Sequence, residues 1–226
     1  MIKFENVTKI YPDNTSVLQD VSFEINEGEF VSIVGKSGAG KTTLTKLILG
    51  LEKPTYGSVY FQGKSMSDVD SAELQLIRRR VGVIYQDYKL LSSRTVFENV
   101  AYIMAVEGKE NDEIMLAVPR VLEAVGLHEK MDNFPRELSG GEQQRLAVAR
   151  ALVNNPDVII ADEPTGNLDP YNAYEVIGLL EKINKAGKTV VLSTHDRGII
   201  NKLGKRVIII ENGKITSDEE KGKFII

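Results

Sequence analysis

Residues 35–42 read GKSGAGKT and fit the pattern G-x-x-x-x-G-K-[ST]. Chance yields that pattern in roughly 1 in 100 chains of this length. Its setting restricts the chain further. Phe30–Val34, just before it, reads as a short buried strand, and the residues after it read as a helix through Leu51. Strand, glycine-rich turn and helix in that order point backbone N–H groups at one spot. Gly35, Gly38 and Gly40 allow the tight path, with Lys36, Ser37 and Ala39 between them. The helix start adds partial positive charge. Such a loop cradles phosphate. Lys41 can reach the β- and γ-phosphates of a nucleotide and Thr42 can offer its hydroxyl to Mg²⁺, with Thr43 next in line.

The rest of the chain supports an α/β protein. The N-terminal stretch alternates at Ile2, Phe4 and Val7 and again over Val17–Ile25, which reads as antiparallel strands. Ser58–Gln62 repeats that pattern. Ala72–Arg80 reads as a helix whose Arg78–Arg80 make a solvated end that complements the dipole. Val81–Tyr85, Val158–Ala161, Thr189–Ser193 and Val207–Ile210 read as buried strands, with a helix over Asn172–Lys185. Apolar strands alternating with helices predict a parallel sheet covered on both faces. From Asp87 to Arg150 the pattern turns helical. A capping box at Thr95–Glu98 opens one helix, and others fall at Ile114–Val125 and from Gly140 on.

Composition excludes several classes. Hydrophobic residues make 42% and charged residues 27%, as in soluble globular proteins. The net charge is −4, against the basic surplus of chains that live on phosphate backbones, so no nucleic-acid partner is expected. The absence of cysteine removes disulfides, thiolate metal sites and cysteine nucleophiles. No segment approaches the roughly 20 apolar residues that cross a bilayer, and MIKFENVTK is not a signal peptide. The expectation is a chain neither secreted nor membrane-spanning, but able to dock onto one that spans.

Val158–Asp162 is an apolar strand ending in an acid, and Glu163 follows. Beside the phosphate loop, Asp162 would hold Mg²⁺ while Glu163 orients or deprotonates an attacking water. Ser139 and Glu142 have capping-box spacing around Gly140 and Gly141, so that helix start leaves N–H groups uncovered and forms a second anion site.

The string Leu138-Ser139-Gly140-Gly141-Glu142-Gln143-Gln144-Arg145 resembles the signature of ATP-binding-cassette (ABC) ATPases, with Glu142 where glutamine is usual. Further motifs follow in family order over essentially the whole chain. The resemblance implies a P-loop cassette with an N-terminal antiparallel β part and an inserted helical subdomain. One domain over 1–226 then divides into a core of 1–86 and 151–226 and a helical part of 87–150. It implies that Tyr11 stacks on adenine, that Gln86 ends a strand as a Mg²⁺ and water-side glutamine, that Asp169 belongs to the loop Asn167-Leu168-Asp169, and that His195 meets the γ-phosphate. It also implies an ATP-dependent head-to-tail homodimer. Each signature then faces the ATP of the opposite subunit, which explains the second anion site.

Within the family, Leu90-Leu91 followed by Arg94-Thr95-Val96-Phe97-Glu98-Asn99-Val100 resembles the bacterial cell-division ATPases. That implies an FtsX-like integral membrane subunit docked through Gln86–Val100, control of peptidoglycan hydrolases, and a peripheral place on the cytoplasmic face of the plasma membrane. Leu90, Leu91 and Phe97 read equally well as core of the helical part. Two other readings stay open: the ATPase of a lipoprotein-release or macrolide-type exporter, and a stand-alone soluble nucleotide switch. The short stretch from Lys41 to Ser139 leaves no room for a long coiled coil, and one cassette argues against a two-cassette translation factor.

Overall fold

The computed structural model describes residues 1–222. Alternation builds the first layer. In β1 (Ile2–Ile10) and β2 (Ser16–Ile25), Ile2, Phe4, Val7, Leu18, Val21 and Ile25 turn inward. The strands pair antiparallel, and Phe4 stacks on Phe23 opposite, ring centroids 4.6 Å apart. Such a pair contributes about 0.5–1.5 kcal/mol beyond the area it buries. β3 (Phe30–Val34) is buried throughout and leads to α1 (Lys41–Ile48). β4 (Tyr56–Phe61) returns to β1, and β5 (Lys64–Ser65) ends this four-stranded sheet, ordered β2-β1-β4-β5. α2 (Ser71–Arg79) starts at Asp70, whose side chain accepts from Glu73 N–H, and runs into β6 (Val81–Tyr85).

Three helices follow with no strand between them: α3 (Val96–Val106), α4 (Asn111–Ala124) and α5 (Gly140–Leu152). Then come β7 (Val158–Asp162), α6 (Pro170–Lys185), β8 (Thr189–Thr194), α7 (Arg197–Leu203), β9 (Arg206–Glu211) and β10 (Lys214–Glu219). The second sheet is six-stranded, ordered β10-β9-β3-β8-β7-β6. All its pairs are parallel except the β9–β10 edge hairpin.

Both faces of this sheet are covered, as the apolar runs require. Along β7, Val158 and Ile160 pack in the core shared with α1 and the antiparallel sheet, while Ile159 and Ala161 pack with α3, α4, α5 and α6. Fully burying one such branched side chain contributes about 1.5–3 kcal/mol. The parallel strands end along one edge, and the loops leaving that edge meet above it.

Several sequence expectations shift. The first helix stops at Ile48 rather than Leu51, because Gly50 takes a left-handed conformation with φ +60°. Arg78–Arg80 is not simply a solvated helix end. Arg78 donates to the carbonyls of Leu49 (2.9 Å) and Gly50 (3.1 Å), closing the end of α1, and Arg80 pairs with Asp157 at 2.6 Å. Leu90 and Phe97 are partly buried against the helical core, so for these two the packing reading holds.

Candidate nucleotide site

The phosphate loop sits between β3 and α1 at the sheet's ligand edge. Gly40 is the N-cap of α1 at φ +106°, and a Cβ there would press on Leu18 and the Val17 carbonyl. Only glycine takes that turn without strain. Ser37, Gly38, Gly40, Lys41, Thr42 and Thr43 line one side of a cleft of about 490 Å³. Gln86, Glu163 and His195 line the other side, with Val17 at the rim.

The two acids at the end of β7 diverge. Asp162 is buried, and its Oδ2 accepts from the Thr42 hydroxyl at 3.0 Å. Its Oδ1 is buried with no hydrogen-bond partner among the described residues. Burial pushes the Asp162 pKa above the ordinary carboxylate value, against the pull of the Thr42 hydroxyl. An unsatisfied buried carboxylate oxygen beside a threonine hydroxyl fits a hard divalent cation, so Thr42 and Asp162 suit Mg²⁺. Glu163 has a left-handed backbone, φ +49°, rare for a glutamate. Its Oε1 lies 3.2 Å from the Lys41 ammonium and its Oε2 2.9 Å from His195 Nδ1. Lys41 itself is buried and also donates to the carbonyls of Gly35 (2.7 Å) and Lys36 (3.2 Å).

Gln86 and Asn167 exchange amide hydrogen bonds. Gln86 Nε2 donates to Asn167 Oδ1 at 3.3 Å, and Asn167 Nδ2 donates to the Gln86 carbonyl at 3.1 Å. Spacing alone does not reveal this link, because the partners lie far apart in the chain.

Of the remaining candidates, Tyr11 sits beside the cleft wall, while Ser139–Glu142 and Asp169 line no part of the cleft. Tyr11 follows β1, its hydroxyl 3.4 Å from Thr43 Oγ1 and Lys9 Nζ 5.1 Å from its ring centroid. Ser139 caps α5 in a full capping box with Glu142, which also pairs with Lys130. Gly140 is exposed and Gly141 buried. Asp169 caps α6, accepting from the N–H groups of Tyr171 (3.0 Å) and Asn172 (3.1 Å). The Asn172 side-chain amide and these N–H groups hold its carboxyl below the usual range. The sequence marks Asn172 only as the start of a helix and not as the partner of Asp169. The signal for it is the D-x-x-N spacing of a helix cap.

A phosphate cradle at the mouth of a parallel sheet is common to many nucleotide enzymes. An antiparallel sheet on one flank and a helical insertion opening on a capped Ser-Gly-Gly turn narrow it to the ATP-binding-cassette class. The ABC transporter family profile matches residues 18–166, and the chain belongs to that family of ATPases. It is 49% identical over 224 residues to the cell division ATP-binding protein FtsE of Bacillus subtilis (strain 168), covering 99% of this chain and 98% of the relative. The FtsE of Escherichia coli (strain K12) is 43% identical over 215 residues, 95% and 97% of the two chains. Among solved structures, the dimeric cassette MJ0796, in a post-hydrolysis state bound to ADP and Pi, matches with TM-score 0.88 at 38% identity over 99% of this chain and 100% of that one. The cbiO1 protein of Clostridium perfringens, part of the transporter complex cbiONQ, gives 0.89 at 32% identity over 97% and 88%. No helix among the described residues is long and apolar enough to cross a membrane.

Proposed function

We propose that this chain is the ATP-hydrolysing subunit of a bacterial cell-division complex of the kind its FtsE relatives are named for. It acts as a head-to-tail homodimer at the cytoplasmic face of the plasma membrane, docked to an FtsX-like integral membrane subunit. The observation that carries this reading is near-full-length similarity to division proteins in a chain with an intact nucleotide cleft.

The Gly35–Thr42 loop holds the phosphates and Tyr11 stacks on adenine. Thr42, Asp162 and Gln86 would hold Mg²⁺, which would supply positive charge to the phosphates. The incoming γ-phosphate takes the Lys41 ammonium from Glu163, which frees that carboxylate. Glu163 then orients a water in line with the γ-phosphorus and takes its proton as the bond to the bridging oxygen breaks. His195 donates to the γ-phosphate. The Ser139–Glu142 turn and Asp169 loop of the opposite subunit close over the same nucleotide. Positioning and charge do most of this work, because little covalent chemistry falls to the protein.

For the membrane subunit, the Gln86–Val100 segment is the docking surface. Tyr88 and Lys89 border a cleft that also exposes Arg79, Ile103 and Arg150. At this cleft the Arg150 guanidinium donates to the Lys89 backbone carbonyl, which ties the segment to α5. The test is to purify the tagged chain from detergent-solubilised membranes. An FtsX-like subunit should co-purify, and depletion should produce filamentous cells. Normal division together with failed lipoprotein release or drug export would overturn the division role.

A further inference from the structure

α5 and α6 lie against each other, and two contacts fix their alignment. In the first turn of α5, Gly141 packs so closely on α6 that a Cβ would overlap the Asn172 side-chain amide. One turn along, Arg145 donates to Glu175 at 2.8 Å. Both pairs step forward together along the two helices, so α5 and α6 run in the same direction here. Their N-terminal caps, Ser139 and Asp169, therefore stand at the same end.

Asn172 sits between those caps. Its backbone N–H binds Asp169 Oδ1 at 3.1 Å and its side-chain Nδ2 binds Asp169 Oδ2, so it holds both oxygens of one carboxylate. Its Oδ1 lies against the Cα of Gly141. One short amide thus touches both turns that the dimer reading sends across to the opposite subunit. A longer side chain would push the helices apart, and an apolar one would leave Asp169 Oδ2 without its donor.

We propose that Asn172 is a positioning residue for hydrolysis: it fastens the Asp169 turn to the Ser139–Gly141 turn, so that both meet the opposite subunit's nucleotide as one piece. The inference rests on the dimeric ATPase reading above. It also gives Gly141 a second role, since the glycine that uncovers the helix N–H groups also admits Asn172.

Asn172→Asp is the discriminating variant. It keeps the side-chain volume, and a merely structural role predicts at most a shifted melting temperature with normal turnover. Under the proposal, the Nδ2 donor is replaced by an oxygen that repels Asp169, and the turn shifts. The expected result is a fall in kcat of about tenfold or more, the scale of a sub-ångström to ångström misplacement. ATP affinity of the isolated subunit, set by its own phosphate loop, should stay within about twofold. Asp169→Ala combined with Asn172→Asp should be no slower than Asp169→Ala alone, because both act through one group. Asn172→Ser removes the reach without adding charge and is read the same way should the aspartate variant not fold. A kcat within about twofold of wild type, or losses that multiply in the double variant, would overturn the proposal. A wild-type chain that does not hydrolyse ATP would instead overturn the ATPase reading on which it rests.

Discussion

Glu163 occupies a backbone conformation that glutamate avoids, and its carboxylate bridges Lys41 and His195. Strain held by surrounding contacts concentrates where it serves chemistry. Glu163→Gln should leave ATP binding intact and slow phosphate release by about 10²–10⁴, the usual scale for a positioned acid–base group. Near-normal turnover would remove Glu163 from the mechanism. Asp162 gives a prediction of opposite sign for stability. Its folded pKa is raised, so the native state binds a proton more tightly than the unfolded chain does. As pH rises past the unfolded value, ionisation of this carboxylate costs the fold stability. Asp162→Asn should therefore raise the melting temperature of the nucleotide-free chain, by about 2 °C or more, while abolishing Mg²⁺-dependent hydrolysis. Calorimetric melting and phosphate release on the same preparation check both halves. The acids were legible in the sequence because they end an apolar strand beside a phosphate loop. The sequence also assigned their separate tasks, but the contacts that hold Glu163 in place were not legible, because they depend on one left-handed φ and on a lysine contributed by a distant segment.

At the scale of elements, the strands that form the sheet core declare themselves through uninterrupted apolar runs. β6 and β3 fall where the sequence places them. The elements it missed are those with least to bury. β10 is a largely exposed edge strand, β5 has only two residues, and α7 is a short helix held between the Asp196 cap and Gly204 at φ +56°. Their formation depends on turns and on neighbours already in place, so periodicity carries no trace of them. The capping box at Thr95 was legible and is complete in the structure. It presents Arg94 to solvent, where the guanidinium pairs with Glu98 at 3.2 Å. An exposed i, i+4 pair contributes only about 0.3–0.5 kcal/mol, so Arg94→Glu should barely change the melting temperature. If the segment is the docking surface, that variant keeps basal hydrolysis and loses co-purification with the membrane subunit. Full partner binding by a folded Arg94→Glu chain would return the segment to packing alone.

For the whole molecule, the Ser139 turn lines no part of the cleft formed by its own chain. A site completed in trans makes a clear prediction for mixtures. Lys41→Ala removes the phosphate-loop charge, and Ser139→Arg blocks closure at a cap whose loss costs about 1 kcal/mol of stability. Each variant alone should be inactive. Mixed, the mutant heterodimer retains one good composite site, so turnover should recover to at most about a quarter of wild type. Normal hydrolysis by each purified variant would exclude the shared arrangement. The order of strands carries a further consequence. β3, which delivers the phosphate loop, lies between β8 and β9. The contact that seats its start, Gly28 N–H to the Thr189 hydroxyl, spans 161 positions. On a ribosome adding about 5–20 residues per second, the nascent β3 stays without either neighbour for about 10–30 s. During that interval the emerging polypeptide carries an apolar strand with both of its hydrogen-bonding edges open. Stalled nascent chains that end before β9 should fail to retain ATP on a filter, whereas chains released past β10 should hold it.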